Sequence, residues 1–151
     1  MDNYSNEELP ITQKYEIIKK LFIIPRPIFM NTKMPKQFKE NDKGNREYKT
    51  KLVYNFDIYN KKCEKVATQM LYRLFEGNGK ALYILGISDK GLNMGISLNE
   101  LYQSIRFIID AANIIKSNIN TIRIYNGEKG YIATIRISLE INKDINVFIY
   151  S

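Results

Sequence analysis

Five side chains on the polar positions of predicted strands have the chemistry of a surface that binds a polyanion. They are four cations and one aromatic ring: Lys49, Lys51, Arg123, Tyr125 and Arg136. Cations neutralise phosphate groups, and an aromatic ring offers an unpaired base a surface on which to stack. The alternative is an ordinary solvated face, because strands need charge on their solvent side in any case. The pattern therefore has two interpretations, contact with single-stranded RNA and a plain wet face.

A second group of cations lies in residues 28–46, which we predict to be irregular. Four lysines there, interleaved with apolar side chains, are candidates for phosphate contacts: Lys33, Lys36, Lys39 and Lys43. Residues 14–73 hold 15 Lys and Arg against 6 Asp and Glu, whereas residues 81–151 hold 7 against 6. A basic half indicates an anionic partner, RNA first. A solvated linker in a lysine-rich protein is the alternative.

Catalytic and metal chemistry lack their usual residues in this chain. There is no histidine and one cysteine, which removes triads built on histidine and the common zinc sites. Residues 77–80 look like part of a phosphate loop, but Leu74 and Ala81 occupy the positions where that loop needs Gly and Ser or Thr. We therefore predict no catalytic residue, no cofactor site and no metal site.

Apolar spacing predicts the elements that would hold these groups. The stripe from Tyr59 through Cys63, Val66, Met70 and Leu74 marks a helix that ends at residue 76, with Arg73 outside the stripe and Cys63 buried as a structural residue. A second helix is predicted from 98 to about 116 and a short one over 11–23. Strands are predicted over 47–54, 81–87, 119–125, 131–139 and 145–150.

These elements predict an α+β fold. We expect a two-layer sandwich with a four- to five-stranded, mostly antiparallel sheet and two long helices on one face, plus an N-terminal helix. We divide the chain into residues 1–46, the N-terminal helix and basic segment, and residues 47–151, the α+β domain. No apolar run is long enough to span a bilayer, and the single cysteine predicts a reducing, cytoplasmic location. The oligomeric state is left open.

Residues 76–100 specify four consecutive features. Glycines at 77 and 79 end the first long helix, and an apolar run covered on both sides follows as a strand. Gly95 closes a second tight bend, for which we expect a positive φ. Ser97 and Glu100 have the spacing of a capping box that begins the second long helix.

Several short motifs of this sequence occur together between residues 47 and 150: Glu47-Tyr48-Lys49, Gln69 to Leu74, Glu76 to Gly79, Ala81-Leu82-Tyr83, Leu85-Gly86-Ile87, Asp89, Gly91, Gly95-Ile96-Ser97, Glu100 and Ser104. With these motifs, the chain resembles the N-terminal region of the translational GTPases called GTP-binding protein 1 and 2 and their archaeal relatives, which are related to elongation factors. In that family this region precedes the GTPase domain. Here the chain ends at Ser151 with no phosphate loop, so the resemblance does not imply GTP hydrolysis by this chain.

The resemblance implies a non-catalytic module that contacts RNA or the ribosome, with a GTPase domain in a longer parent chain as an open option. A structural protein-interaction module with no nucleic-acid role is the alternative. Heavy use of Ile, Asn and Lys indicates an AT-rich genome, as in some protists and large DNA viruses. A shorter likeness, over residues 85–97, is to Schlafen-type AlbA-like domains, and it also implies contact with nucleic acid.

Overall fold

The computed structural model describes residues 24–140 of the chain. In this range the elements follow the order β1 (Ile28–Lys33), β2 (Arg46–Lys49), α1 (Phe56–Glu76), β3 (Lys80–Leu85), α2 (Leu98–Ile114), β4 (Asn118–Asn126) and β5 (Tyr131–Ser138). The predicted α+β class and both long helices are confirmed. The predicted helix over 11–23 and the predicted strand over 145–150 lie outside the described residues. Neither α1 nor α2 combines the length and hydropathy that crossing a bilayer would require.

The five strands form one sheet in the order β1-β4-β5-β3-β2. The predicted hairpin of β4 and β5 is antiparallel, and β5 also pairs antiparallel with β3. Both edge strands are parallel to their neighbours, β1 to β4 and β2 to β3. The three central strands are antiparallel as predicted, and the two edge strands add parallel pairings that the prediction did not include, because β2-α1-β3 is a parallel crossover unit.

The strand β1 was not predicted, since we expected residues 28–46 to be irregular. All six of its residues are exposed, so the strand is held by backbone hydrogen bonds to β4. Its side chains show no alternation of apolar and polar residues from which a strand could be predicted. Because β1 and β2 are at opposite edges, residues 34–45 must cross the sheet. We call residues 34–45 the crossing segment. The division of the chain at residue 46 stays a prediction, although β1 belongs to the same sheet as the later strands.

Both helices cover one face of the sheet, the helical face, and bury the main core there. The predicted stripe of α1 is confirmed: Cys63, Val66, Met70 and Leu74 are buried against α2 and the sheet. Burial raises the pKa of the Cys63 thiol to about 11, with a smaller contribution from the charge of Asp110. Cys63 is therefore a packed thiol that is not activated as a nucleophile.

A smaller apolar cluster covers part of the opposite face of the sheet. It joins Tyr48, Leu82, Ile84, Ile87 and Ile132, and Met34 of the crossing segment packs on it. The strand β3 is thus buried on both faces, as its uninterrupted apolar run predicts. The crossing segment follows this end of the sheet, where Tyr48 donates its hydroxyl to the Phe38 carbonyl at 2.8 Å.

The predicted strand over 47–54 ends early, at Lys49. Since alternate residues of a strand share a face, a strand over 47–54 would have Tyr48 and Leu52 on one face. Instead, Tyr48 lies in the opposite-face cluster and Leu52 in the helical core. The Leu52 amide donates to the Ser104 hydroxyl of α2 at 2.8 Å. This contact lies in the helical layer, so the chain has already left the plane of the sheet at Leu52.

Arg73 is buried, contrary to the expectation that it would stay outside the packed stripe. Its Nε donates to Glu47 Oε1 at 2.7 Å, and Glu47 is buried as well. The guanidinium nitrogens also donate to the carbonyls of Asn41, Asp42 and Gly44 at 3.0, 3.3 and 2.9 Å. The spacing of α1 cannot reveal this partner set, because the acceptors belong to residues 41–47, which fold over the end of the helix.

The bend at Gly95 and the cap at Ser97 are confirmed. Gly95 has φ +84°, and a Cβ there would lie 2.6 Å from the carbonyl carbon of Gly130. The Ser97 hydroxyl accepts the Glu100 amide at 3.1 Å. The bend thus brings the β3–α2 loop against the β4–β5 turn, where Ile96 forms a bridge with Tyr131.

We expect Gly95→Val to lower the free energy of unfolding by about 1–3 kcal/mol from backbone strain alone, and by more because backbone atoms of Gly130 block the Cβ. Gly44→Val is the matched control, since Gly44 has φ +95° and open space around its Cβ position. Thermal unfolding followed by circular dichroism measures both. Equal melting temperatures for the two variants would contradict the steric part of this prediction.

We expect Arg73→Met to destabilise the fold by about 3–5 kcal/mol, because it leaves the Glu47 carboxylate buried without its partner. Arg73→Lys should not restore stability, since one ammonium group cannot reach acceptors on four residues. Arg106→Met is the control, because Arg106 forms an exposed pair with Asp110 on α2 that contributes little. Urea unfolding measures all three, and a similar loss for Arg106→Met and Arg73→Met would refute the assignment.

Candidate nucleic-acid interface

The strand register places three arginines and one tyrosine on the sheet face opposite the helices. We call Arg46, Arg123, Arg136 and Tyr125 the arginine face. Arg136 of β5 pairs with Leu82 of β3, and Leu82 pairs with Arg46 of β2. On the other side, Arg136 pairs with Thr121 of β4. Paired residues share a face, so Arg46, Arg136 and Thr121 lie in one row across four strands.

Arg123 and Tyr125 continue this face along β4. They follow Thr121 by two and four residues, so each is about 7 Å beyond the preceding one. Their partners on β5 are Thr134 and Ile132. The arginine face therefore begins with Arg46 and Arg136 in one row across the strands. Arg123 and Tyr125 extend it along β4 toward the β4–β5 turn.

The electrostatics of the arginine face favour an anion. Arg46 and Arg136 are exposed, and Arg123 and Tyr125 are half-buried. Among the strand residues that the structure describes, no carboxylate lies on this face. The Arg46 guanidinium donates to the side-chain oxygen of Gln37 at 2.9 Å, a neutral partner. Because no acid of the described strands is paired with these arginines, this part of the sheet carries a positive potential.

Sequence reasoning missed Arg46 as a member of this face. We assigned it to the irregular basic segment, so it had no predicted face. Its position two residues before Tyr48 was the available signal, because residues two apart on a strand share a face. Arg123, Tyr125 and Arg136 lie together as predicted.

Lys49 and Lys51 do not share the arginine face, and their predicted grouping with Arg123 and Arg136 is wrong. Lys49 pairs in register with Leu85 of the helical core, and its Nζ is 3.5 Å from Glu47 Oε2. Lys51 follows the end of β2, and its Nζ is 2.8 Å from Glu100 Oε2. The hydrogen bond from Lys51 lowers the pKa of Glu100. The prediction for Lys49 failed because Tyr48 is buried on the opposite face of the sheet. Since successive side chains of a strand alternate between faces, Lys49 is directed toward the helices.

The four lysines of residues 28–46 are exposed but do not form one cluster. Lys33 and Lys36 line one cavity of about 380 Å³ between the crossing segment, the β3–α2 loop and the β4–β5 turn. Lys43 lies in the turn that Arg73 holds, and Lys39 precedes that turn. Only Lys33 and Lys36 therefore adjoin the end of the arginine face, where Lys33 pairs with Asn126.

A second basic cavity, of about 480 Å³, lies in the helical layer. Lys49, Lys62 and Lys65 line it together with Tyr54. The Lys62 ammonium is 5.8 Å from the centroid of the Tyr54 ring. This cavity and the arginine face belong to different layers, so one short ligand would not contact both.

The structure shows no arrangement for metal chemistry in residues 24–140. No three His, Cys, Asp or Glu side chains there come together as metal ligands would. The most buried carboxylate, Glu47, already accepts from Arg73. Burial raises the pKa of Glu40, whose carboxylate accepts the amide of Tyr48. These acids support the crossing segment and β2.

Comparison with known proteins shows similarity to a region of GTP-binding protein 2. The chain is 38% identical over 84 residues to GTP-binding protein 2 of Mus musculus and to that of Homo sapiens. It is also 27% identical over 106 residues to Uncharacterized protein R625 of Acanthamoeba polyphaga mimivirus, across 70% of this chain and 55% of that protein. No family model matches the chain, and no solved structure matches it.

The match to GTP-binding protein 2 covers 56% of this chain but spans only 14% of the length of that protein. The predicted resemblance to the GTP-binding protein 1 and 2 family is thus supported for one region. The likeness to Schlafen domains receives no support from these comparisons. The comparisons therefore show that one region of this chain is similar to one region of GTP-binding protein 2.

Proposed function

We propose that this protein is a non-catalytic module related to the translational GTPases, and that it contacts RNA or the ribosome through the arginine face. The observation that carries the proposal is the placement of Arg46, Arg123 and Arg136 beside Tyr125 on one sheet face without a strand carboxylate among them. The partial similarity to GTP-binding protein 2 supports a role in the same general setting.

The arginine face offers the two kinds of contact that single-stranded RNA needs. A guanidinium group binds phosphate through two parallel hydrogen bonds, and it also stacks on a base. The Tyr125 ring offers a stacking surface that does not depend on base identity. Lys33 and Lys36 lie beyond Tyr125 and extend the positive surface toward the β4–β5 turn. Together these groups favour backbone contacts plus stacking over reading of a defined base sequence.

We expect unpaired RNA to bind with an affinity that falls with salt, at a slope of about −0.7 per phosphate contact. The triple change Arg46→Gln, Arg123→Gln and Arg136→Gln should reduce the slope by about 2 if all three contact phosphates. Tyr125→Ala should weaken binding by about 1–3 kcal/mol at every salt concentration, because stacking is not electrostatic. Fluorescence anisotropy with a labelled RNA oligomer across a salt series measures both.

The matched control changes Lys61, Lys62 and Lys65 of α1 to Gln, which removes the same charge from the helical layer. If this control weakens RNA binding as much as the arginine triple, binding follows net charge and the arginine face is not the site. If the unmodified protein binds no RNA even at low salt, the proposal fails and the protein-interaction alternative replaces it.

We expect the crossing segment to contribute unequally to RNA binding. Changing Lys33 and Lys36 to Gln should flatten the salt slope, because these lysines adjoin the arginine face, and it should weaken binding to all sequences alike. Changing Lys39 and Lys43 to Gln should have a smaller effect. Changing Lys49 and Lys51 to Gln tests the helical side. The same anisotropy series compares the three pairs, and equal effects would show that position on the surface does not matter.

A further inference from the structure

Arg46 differs from the other arginines of the arginine face in its surroundings. It begins the edge strand β2 and lies beside the crossing segment, whereas Arg123 and Arg136 lie on the inner strands β4 and β5. Within residues 24–140, its exposed side chain has one hydrogen-bond partner, because Nη1 donates to Oε1 of Gln37 at 2.9 Å. Gln37 belongs to the crossing segment, so this bond joins that segment to the arginine face.

Gln37 is held from two sides. Its Nε2 donates to the carbonyl of Pro35 at 2.9 Å. A carbonyl only accepts, so the amide cannot be turned around, and Oε1 faces Arg46. The backbone carbonyl of Gln37 lies against Gly91 of the β3–α2 loop, where a Cβ would come within 2.6 Å of it. The half-buried Gln37 is therefore a fixed acceptor beside an exposed guanidinium.

The partner of Arg46 is neutral, which sets Arg46 apart from the paired cations. In the part of the chain that the structure describes, the cations with an ionic side-chain partner each have a carboxylate: Lys49, Lys51, Arg73 and Arg106. The nearby acid Glu40 has a different role, because its carboxylate accepts the amide of Tyr48. The crossing segment thus orients Arg46 without neutralising its charge.

The bond to Gln37 leaves the other edge of the Arg46 guanidinium open. A guanidinium carries five N–H groups, and Nε and Nη2 form a pair of parallel donors that fits a phosphate. The described residues accept from neither of them, since the bond to Gln37 uses Nη1. An arginine that a neighbour already orients also loses less rotamer freedom when it binds a ligand.

We infer that Gln37 is a positioning residue of the RNA site. It holds the Arg46 guanidinium on the arginine face, in one row with Arg136, and leaves its charge free to bind a phosphate of the unpaired strand. The inference rests on the proposed function. It gives the crossing segment a part in RNA binding that does not depend on its lysines.

The test compares two substitutions of Gln37 by fluorescence anisotropy with a labelled RNA oligomer across a salt series. Gln37→Glu places a carboxylate beside Arg46, so one phosphate contact should be lost. The salt slope should become shallower by about 0.7, and the affinity at low salt should fall about tenfold. Gln37→Met removes the hydrogen bonds and adds no charge, so it should weaken binding about threefold and leave the slope unchanged. Equal effects of the two substitutions would contradict the inference.

Two further variants show whether Gln37 acts through Arg46. Gln69→Glu is the matched control, because it adds the same charge to α1 in the helical layer and should leave the slope unchanged. In a chain that carries Arg46→Gln, adding Gln37→Glu should leave the slope where Arg46→Gln alone sets it. A further change of about 0.7 in that chain would show that the carboxylate acts on the RNA directly, and the positioning role would be wrong.

Nuclear magnetic resonance of the Arg46 side chain tests the hydrogen bond without RNA. Rotation of the guanidinium about the Nε–Cζ bond should be slower in the unmodified protein than in the folded Gln37→Met variant. Equal rates of rotation would overturn the inference whether or not RNA binds.

The RNA measurements separate this inference from the proposed function. If Arg123→Gln with Arg136→Gln weakens RNA binding but neither substitution of Gln37 does, the proposed function stands and the inference is wrong. If the unmodified protein binds no RNA at low salt, the proposed function fails. The role of Gln37 in RNA binding then fails with it, even where Gln37 slows the rotation of Arg46.

Discussion

The buried ion pair between Arg73 and Glu47 is the interaction on which the rest of the structure depends. It joins the last turns of α1 to the short edge strand β2, and the same guanidinium holds the carbonyls of residues 41–44. A buried pair adds stability only when its remaining hydrogen-bonding groups are satisfied, and here donors reach acceptors on four residues. The pair therefore fixes one end of the crossing segment, next to Glu40, whose carboxylate accepts the amide of Tyr48 in β2.

The order of the strands explains why the crossing segment matters for the candidate interface. Because β1 and β2 are consecutive in the chain but at opposite edges of the sheet, residues 34–45 must pass over it. Met34 anchors this passage on the opposite-face cluster, and Glu40 accepts the Tyr48 amide near its other end. The passage covers one end of the opposite face and brings Lys36 there, while Arg46, Arg123 and Arg136 lie on the remainder of that face. The cations of the basic half are thus divided among the arginine face, the crossing segment and the helical layer. The net charge of this half alone therefore does not locate a binding site.

Much of the architecture follows from local sequence signals, and the failures share one physical cause. The stripe of α1, the cap at Ser97, the bend at Gly95 and the β4–β5 hairpin are set by residues close in sequence, and the structure contains all four. The strand β1, the burial of Arg73 and the orientation of Lys49 depend on partners 26 or more residues away, such as Glu47 for Arg73. The sequence shows that polar and apolar side chains alternate along residues 46–49. Only the packing of Tyr48 in the folded protein decides which set faces the helices and which set faces the opposite side. For the same reason, the sequence identified three members of the arginine face and missed Arg46.

The cations of this protein differ in what their neighbours leave them free to do. Arg73 is buried and donates hydrogen bonds to acceptors within the protein, so its charge stabilises the fold and is not available to a ligand. Lys51 is paired with Glu100 at 2.8 Å, and its hydrogen bond lowers the pKa of that carboxyl. Arg136 faces solvent on a part of the sheet that bears no described strand carboxylate. Salt screens an exposed charge and weakens its effect over about 10 Å, whereas an anion held against several such charges releases counterions and binds more tightly as salt falls. The proposed RNA contact would use this gain at the arginine face, where no carboxylate lies among the described strand residues.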